Sequence, residues 1–229
     1  MATYRVDTVP RLLKPVYVPM TWIVGVVLFC YYALCRMTSR VSIDGPGNHD
    51  LAQHAIFCFW HESWLSYCVV FNRYPSPHTM ISHPAAYMRP IHIQFRLMGL
   101  TPLVLGSSGE EGRRAADAVA ALVGRGLSTS ISPDGPYGPP RVLKKGVPHI
   151  ARKSGVPIVP LTIRASRGLR LPSWDAKQLP LPFSRIAVTV HEPFVVTEEN
   201  FDCAAAHVIR ALDGPAPATV VTHLHPASS

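Results

Sequence analysis

The chain has 229 residues, 48% hydrophobic and 16% charged, with a net charge of +8 from 22 basic and 14 acidic side chains. That length suits one well-buried domain rather than two. The charge content, against roughly 25% in an average soluble protein, points to apolar surface meeting something other than water. A basic surface suits nucleic acid, acidic ligands or an anionic leaflet, but no helix-turn-helix, RNA-binding sheet motif or zinc pattern supports the first.

The first element is an uncharged run from Pro15 to Cys35, with Arg11 and Lys14 before it and Arg36 and Arg40 after it. About 20 apolar residues cross a hydrocarbon core as a helix. Pro15 and Pro19 stand near the start, where a helix tolerates proline best, and Trp22, Tyr31 and Tyr32 suit an interface. A secretory signal fits less well, because the run begins late and ends on bulky residues with no small-residue cleavage site. Basic residues on both sides leave its orientation open, and it either spans the membrane or lies in one leaflet. A buried core helix is the competing reading.

After Ser42 short apolar runs alternate with longer mixed ones. The runs 55–60, 79–82, 102–105, 128–132, 157–163 and 185–190 read as strands, being too brief for helices and lacking a helical period. Residues 108–126 read as a helix, opened by a Ser108/Glu111 capping box and closed at Gly126. Shorter helices are expected after His61, Tyr87 and Gly146. A last one runs from a Thr197 cap to about Leu212, with Glu198 and Glu199 in its first turn. Strands alternating with helices imply an α/β fold with a largely parallel central sheet flanked by helices, behind an N-terminal hydrophobic membrane helix. The expected organisation is a membrane-anchor segment over 1–41, an α/β domain over 42–213, and a disordered Pro/Ala/Ser-rich tail over 214–229. The five cysteines are odd in number and form no C-x-x-C pair, which argues for buried thiols in a reducing compartment rather than disulfides or zinc.

Chemistry collects after the strands: His61-Glu62-Ser63, Ser82-His83, Gly106-Ser107-Ser108-Gly109 and Pro133-Asp134-Gly135-Pro136. In a parallel sheet these carboxyl ends share the edge where ligands usually bind. A neutral imidazole there takes a proton from a hydroxyl near neutral pH, which makes His61 the candidate base. Metal binding is disfavoured, since His61-Glu62 begins like H-E-x-x-H but the second histidine is replaced by Leu65. The glycine turn leads into a helix, as an oxygen-ligand site would. Yet it has neither the Lys-Ser/Thr ending of a nucleotide loop nor a G-x-S-x-G elbow. Asp134 stands in a stiff Gly/Pro loop, and Arg141, Lys144 and Lys145 nearby are either phosphate contacts or solvated surface charges.

Trp60-His61, Gly106-Ser107-Ser108, Ser132-Pro133-Asp134-Gly135-Pro136 and Val156-Pro157-Ile158-Val159-Pro160 fall in the order of the four blocks of the lysophospholipid acyltransferase superfamily. The chain resembles most a bacterial branch of unknown function with Pro-Asp-Gly-Pro in its third block, to which Ser173-Trp174-Asp175 and Pro182-Phe183-Ser184-Arg185 are also similar. The resemblance covers roughly 55–194. It implies an α/β domain docked at a membrane by an apolar N-terminal segment. The implied reaction is transfer of a fatty acyl group from acyl-CoA or acyl carrier protein to a lysophospholipid or related lipid. His61 would then be the base, and Asp134 would take the place of the third-block glutamate. The family's aspartate five positions after the histidine is Ser66 here. Either Glu62 or Asp134 supplies the carboxylate, or His61 acts unaided, or activity is lost. The family's second-block arginine is also absent, which leaves the acceptor open.

Strand-end placement and resemblance together give His61, Asp134 and Glu62 as candidate catalytic residues. Ser63, Trp64, Ser82, Gly106, Ser107, Ser108, Gly135, Pro136 and Lys144 are the candidate substrate contacts. No metal or bound cofactor is required. The expected partners are a lipid acceptor, an acyl thioester, the membrane and acyl carrier protein, and no nucleic acid. The expected location is the cytoplasmic face of a bacterial inner membrane. An inactive lipid-binding relative and a membrane-bound acyl hydrolase are the rival readings.

Overall fold

The computed structural model describes residues 5–46, 51, 53–72, 76–107 and 109–214. Helix α1 (Lys14–Thr38) follows a short 3-10 turn and carries Pro15 in its first turn and Pro19 one turn further on. Its buried residues Thr21, Gly25, Tyr32 and Cys35 are spaced by four, seven and three positions, so they form one stripe. The stripe packs on α2 (Trp64–Val70) and α3 (Arg89–Leu97). At Gly25 the approach is close enough that a Cβ would lie 2.7 Å from the Pro90 carbonyl oxygen and 2.8 Å from Ile93 Cβ. The opposite face leaves Val16, Met20, Ile23 and Val27 exposed. Only 22% of its most apolar stretch is buried, so α1 is not enclosed by the rest of the domain.

Among the described residues the main sheet has seven strands in the order β1-β9-β6-β2-β5-β3-β4. They are β1 (Arg40–Asp44), β2 (Ile56–Cys58), β3 (His78–Ser82), β4 (Leu100–Leu105), β5 (Ser128–Ile131), β6 (Ile158–Ala165) and β9 (Arg185–Val190). Five of the six pairings are parallel, and β6 with β9 is antiparallel. The fold is therefore α/β with a mostly parallel central sheet flanked by helices, as the alternation of elements implied. Strands β7 (Gly168–Arg170) and β8 (Gln178–Pro180) form a separate antiparallel pair. These two, and β1, are too short or too polar to register as apolar runs.

Alternation along β2 divides the core. Phe57 and Phe59 point to the face covered by α1, α2 and α3, while Ile56, Cys58 and Trp60 point to the other. That second face is covered by α4 (Gly109–Val123), α5 (Gly146–Ser154) and α6 (Phe201–Asp213). All the cysteines are free thiols, three of them buried.

Of the two expected helix caps, one falls outside the described residues and one is overturned. Ser108 lies outside the described residues, and the Glu111 carboxylate meets Arg5 at 2.7 Å. Thr197 does not cap α6: the Thr197 N–H donates to Asn200 Oδ1 and the Asn200 N–H to Thr197 Oγ1, closing a turn. The helix then begins only at Phe201, with Glu198 and Glu199 ahead of it. The expected tail from 215 onward also lies outside the described residues.

Candidate active site

Residue 61 opens a 3-10 turn directly after β2, and Trp60 before it is pinned by its indole N–H to Asp213 at 2.8 Å. The His61 backbone N–H donates to Asp134 Oδ1 at 3.0 Å, and Asp134 Oδ2 accepts the Arg141 N–H at 3.1 Å. Asp134 is buried at 1% exposure. It ties the β2 end to the loop after β5 through main-chain donors and does not meet the imidazole. Glu62 is also turned away, paired with the Arg141 guanidinium at 2.8 Å.

The carboxylate on the ring is Asp175, from the loop between β7 and β8. Its Oδ2 lies 2.7 Å from His61 Nδ1, and its side chain is fully covered. This corrects the expectation that Glu62 or Asp134 fills the gap left by Ser66. Burial pulls the Asp175 carboxyl upward, but hydrogen bonds from Lys177, Ser173 and His61 outweigh it and hold the group at about 2. An ionised carboxylate only accepts, so Nδ1 carries the proton and Nε2 keeps its lone pair. Burial, aided by the Lys177 charge, holds the His61 pKa below its ordinary value against the opposing pull of Asp175 and Asp134. The imidazole is therefore neutral near pH 7, as a general base must be.

Indole rings of Trp174 and Trp64 stack against the imidazole at centroid distances of 5.2 and 6.2 Å. The Cδ2–Nε2 edge lies against Gly135, where a Cβ would sit 2.9 Å from Cδ2 and 3.5 Å from Nε2. Gly138, at φ +71, leaves room for Trp174, whose Cε3 would be 2.6 Å from a Cβ there. Glycine at both positions lets the Pro-Asp-Gly-Pro loop close over the histidine.

His61 borders a cavity of about 880 Å³, large enough for a substantial ligand. Trp64, Ser82, Gly106, Ser107, Gly135, Pro136 and Lys144 line it, as do the apolar Met80, Met88, Ile91, Phe95 and Ile150. Among the described lining residues there is no carboxylate, whereas Arg113, Lys144 and Lys145 are among them. Lys144 Nζ also donates to the Gly135 carbonyl at 2.7 Å, supporting the loop. Ser63 is placed elsewhere, because its hydroxyl donates to the Ile163 carbonyl on β6 at 3.1 Å and it does not line the cavity. The Gly106 N–H is committed to the Ser82 carbonyl at 3.0 Å and is not available to an oxyanion. A Cβ at Gly106 would lie 2.4 Å from Ala115 Cβ, so the turn is glycine because α4 packs on it.

Trp174, Asp175 and Lys177 were not assigned to the site from sequence. The available signal was a polar Ser-Trp-Asp stretch similar to the bacterial branch, but it follows no main-sheet strand and lies 114 positions from His61. Among the described residues no group of three or more acidic, His or Cys side chains could hold a metal ion.

No family model matches the sequence. An uncharacterized protein of Rickettsia prowazekii (strain Madrid E) is 25% identical over 183 residues, covering 78% of this chain and 83% of that protein. The crystal structure of the 1-acyl-sn-glycerophosphate (LPA) acyltransferase PlsC from Thermotoga maritima superposes with a TM-score of 0.51 at 18% identity, covering 85% of this chain and 78% of that one. The chain therefore shares the α/β fold of that acyltransferase.

Proposed function

We propose that the protein is a membrane-associated acyltransferase that moves a fatty acyl group from an acyl thioester to a lysophospholipid or related lipid acceptor. The observation that carries this reading is a neutral, carboxylate-oriented His61 at the wall of a large cavity that is apolar within and cationic at Arg113, Lys144 and Lys145. An amphiphile with an acidic head group suits such a chamber. The shared fold with a glycerophosphate acyltransferase supports the same reading.

In the proposed reaction His61 Nε2 takes the proton of the acceptor hydroxyl, and that oxygen attacks the thioester carbonyl carbon. The tetrahedral oxyanion faces the cations of the cavity. As it collapses the C–S bond breaks, and the departing thiolate takes the proton back from the imidazolium. Asp175 stabilises the imidazolium while it exists, the role of the carboxylate in other His–carboxylate pairs. The donor is acyl-CoA or acyl carrier protein, and no metal is needed.

The exposed apolar face of α1, with Arg11, Lys14, Arg36 and Arg40 at its ends, is proposed to rest in one leaflet of the inner membrane, on the cytoplasmic side. A helix whose other face is packed along its length on the domain suits an in-plane position better than a span.

The test is turnover by purified protein in vesicles, with acyl thioester and a panel of lysolipids. His61→Ala is expected to lower transfer roughly 10²–10⁴-fold while leaving the circular dichroism spectrum unchanged. A variant within threefold of wild type overturns the assignment of the base. Release of free fatty acid at the same rate with and without acceptor makes the protein a hydrolase instead.

A further inference from the structure

The loop that carries Asp175 is built around that carboxylate. Ser173 Oγ donates to Oδ1 at 2.7 Å, and Lys177 Nζ lies 2.9 Å from Oδ1 and 2.8 Å from Oδ2. The loop closes on itself, with the Ala176 N–H on the Ser173 carbonyl at 3.0 Å and the Lys177 N–H on Ser173 Oγ at 3.3 Å. Trp174 stacks on His61, and Lys177 Nζ stands 5.6 Å from the centroid of that indole. Four of five consecutive side chains, 173, 174, 175 and 177, thus touch the histidine or its carboxylate. The lysine side chain is 17% exposed, so its charge acts at short range with little solvent screening.

We propose that Lys177 is a positioning residue for His61: its ammonium spans both oxygens of Asp175, holds the carboxylate in place against Nδ1–H, and cancels most of the carboxylate charge at the ring. This rests on His61 being the catalytic base. A carboxylate alone against an imidazole both orients the ring and strengthens its hold on a proton. With Lys177 in place the orientation is kept and that hold is relieved. Five charged side chains bear on the imidazole and its turn. Asp175 and Lys177 come from the β7–β8 loop, Asp134 from the loop after β5, and Glu62, next in the chain, is neutralised by Arg141.

The test is the titration of His61 by NMR in full-length, ring-labelled protein in detergent micelles, assigned through His61→Ala. Lys177→Met, which keeps most of the stem, is expected to raise the His61 midpoint by about one pH unit, as expected for loss of a nearby, partly screened charge. The acid limb of turnover should move the same way, with kcat at pH 6 falling more than KM changes. Lys177→Arg is expected to restore the midpoint, and Lys177→Gln serves where the methionine variant does not fold. A midpoint unmoved or lowered in the uncharged variants overturns the proposal, as does an arginine variant that behaves like methionine. A fully active His61→Ala instead overturns the assignment of His61 as the base, while the titration still reports whether Lys177 sets the charge at the ring.

Discussion

An alanine at Gly135 tests whether the Pro-Asp-Gly-Pro loop positions the histidine. Its Cβ would sit 2.9 Å from His61 Cδ2, 3.4 Å from the Ser132 carbonyl oxygen and 3.5 Å from Nε2. Relieving the first contact to ordinary van der Waals distance needs a movement of roughly 0.5–1 Å between loop and ring. The ring has little freedom to give way, with Trp64 and Trp174 stacked against it and Nδ1 held at 2.7 Å by a fully covered carboxylate. The loop is equally tied, through Asp134 to two backbone N–H groups and through Lys144 Nζ to the Gly135 carbonyl. Misplacement of about 1 Å costs on the order of 10²-fold in rate, so Gly135→Ala is expected to lower kcat by roughly 10- to 100-fold with little change in KM. The assay is single-turnover acyl transfer in vesicles, with thermal unfolding followed in parallel. A variant that melts normally and keeps its full kcat refutes the argument that this loop sets the ring position.

Asp175→Asn, which keeps the size of the side chain but loses its charge, is expected to lower kcat at least about 10²-fold, whereas Glu62→Gln stays within threefold. The reverse order in a direct rate comparison would return the partner role to Glu62. Asp134→Asn weakens the loop itself, because a buried acceptor of two backbone donors is altered, and should cost about 1–3 kcal/mol in denaturant melts. With the His61 pKa held below its ordinary 6.5, the imidazole is neutral on the alkaline side of its pKa. The rate should therefore be flat near pH 7 and fall only as pH drops through that lowered value. A pH–rate profile falling already between pH 7 and 8 on the acid side contradicts this. Ile23→Asp with Val27→Asp on the exposed face of α1 should move the protein out of the vesicle pellet on flotation without altering its melting temperature, and an unchanged pellet refutes the leaflet assignment.

The pattern of the chain made the sheet and its two helical layers legible, because buried strand segments such as Ile56–Cys58 and residues 158–161 are continuous apolar runs. His61, Gly106 and Gly135 were legible for a related reason: each follows a strand, and the strand ends converge. Asp175 obeys no such rule. It sits between two three-residue strands outside the main sheet, and nothing in local sequence says which distant side chain a loop carboxylate will meet. Conversely, Glu62 looked near to His61 in sequence, but the 3-10 turn at residues 61–63 directs it to Arg141. Ser63 was read as a ligand contact when its hydroxyl is spent on β6. Adjacency in the chain misled where backbone direction decided.

The carboxylate's location also ties the site to α1. The β8 strand just beyond Lys177 is held by the Tyr31 hydroxyl, which donates to the Pro180 carbonyl at 2.7 Å, and by the Cys35 thiol on the same oxygen at 3.6 Å. Further on, the Phe183 and Ser184 N–H groups donate to Thr38 Oγ1 and Ser39 Oγ. Cutting the chain before Ser42 therefore removes more than the proposed anchor, since it strips the support from the segment that carries Asp175. Tyr31→Phe isolates this effect, because it keeps the packing and deletes one hydrogen bond, worth about 0.5–1.5 kcal/mol. It is expected to lower kcat severalfold on a short-chain, water-soluble thioester and acceptor, where delivery by the membrane plays no part. Membrane binding should be unchanged in the same preparation. If the rate on soluble substrates matches wild type, the helix only anchors, and the His61–Asp175 pair holds its geometry without it.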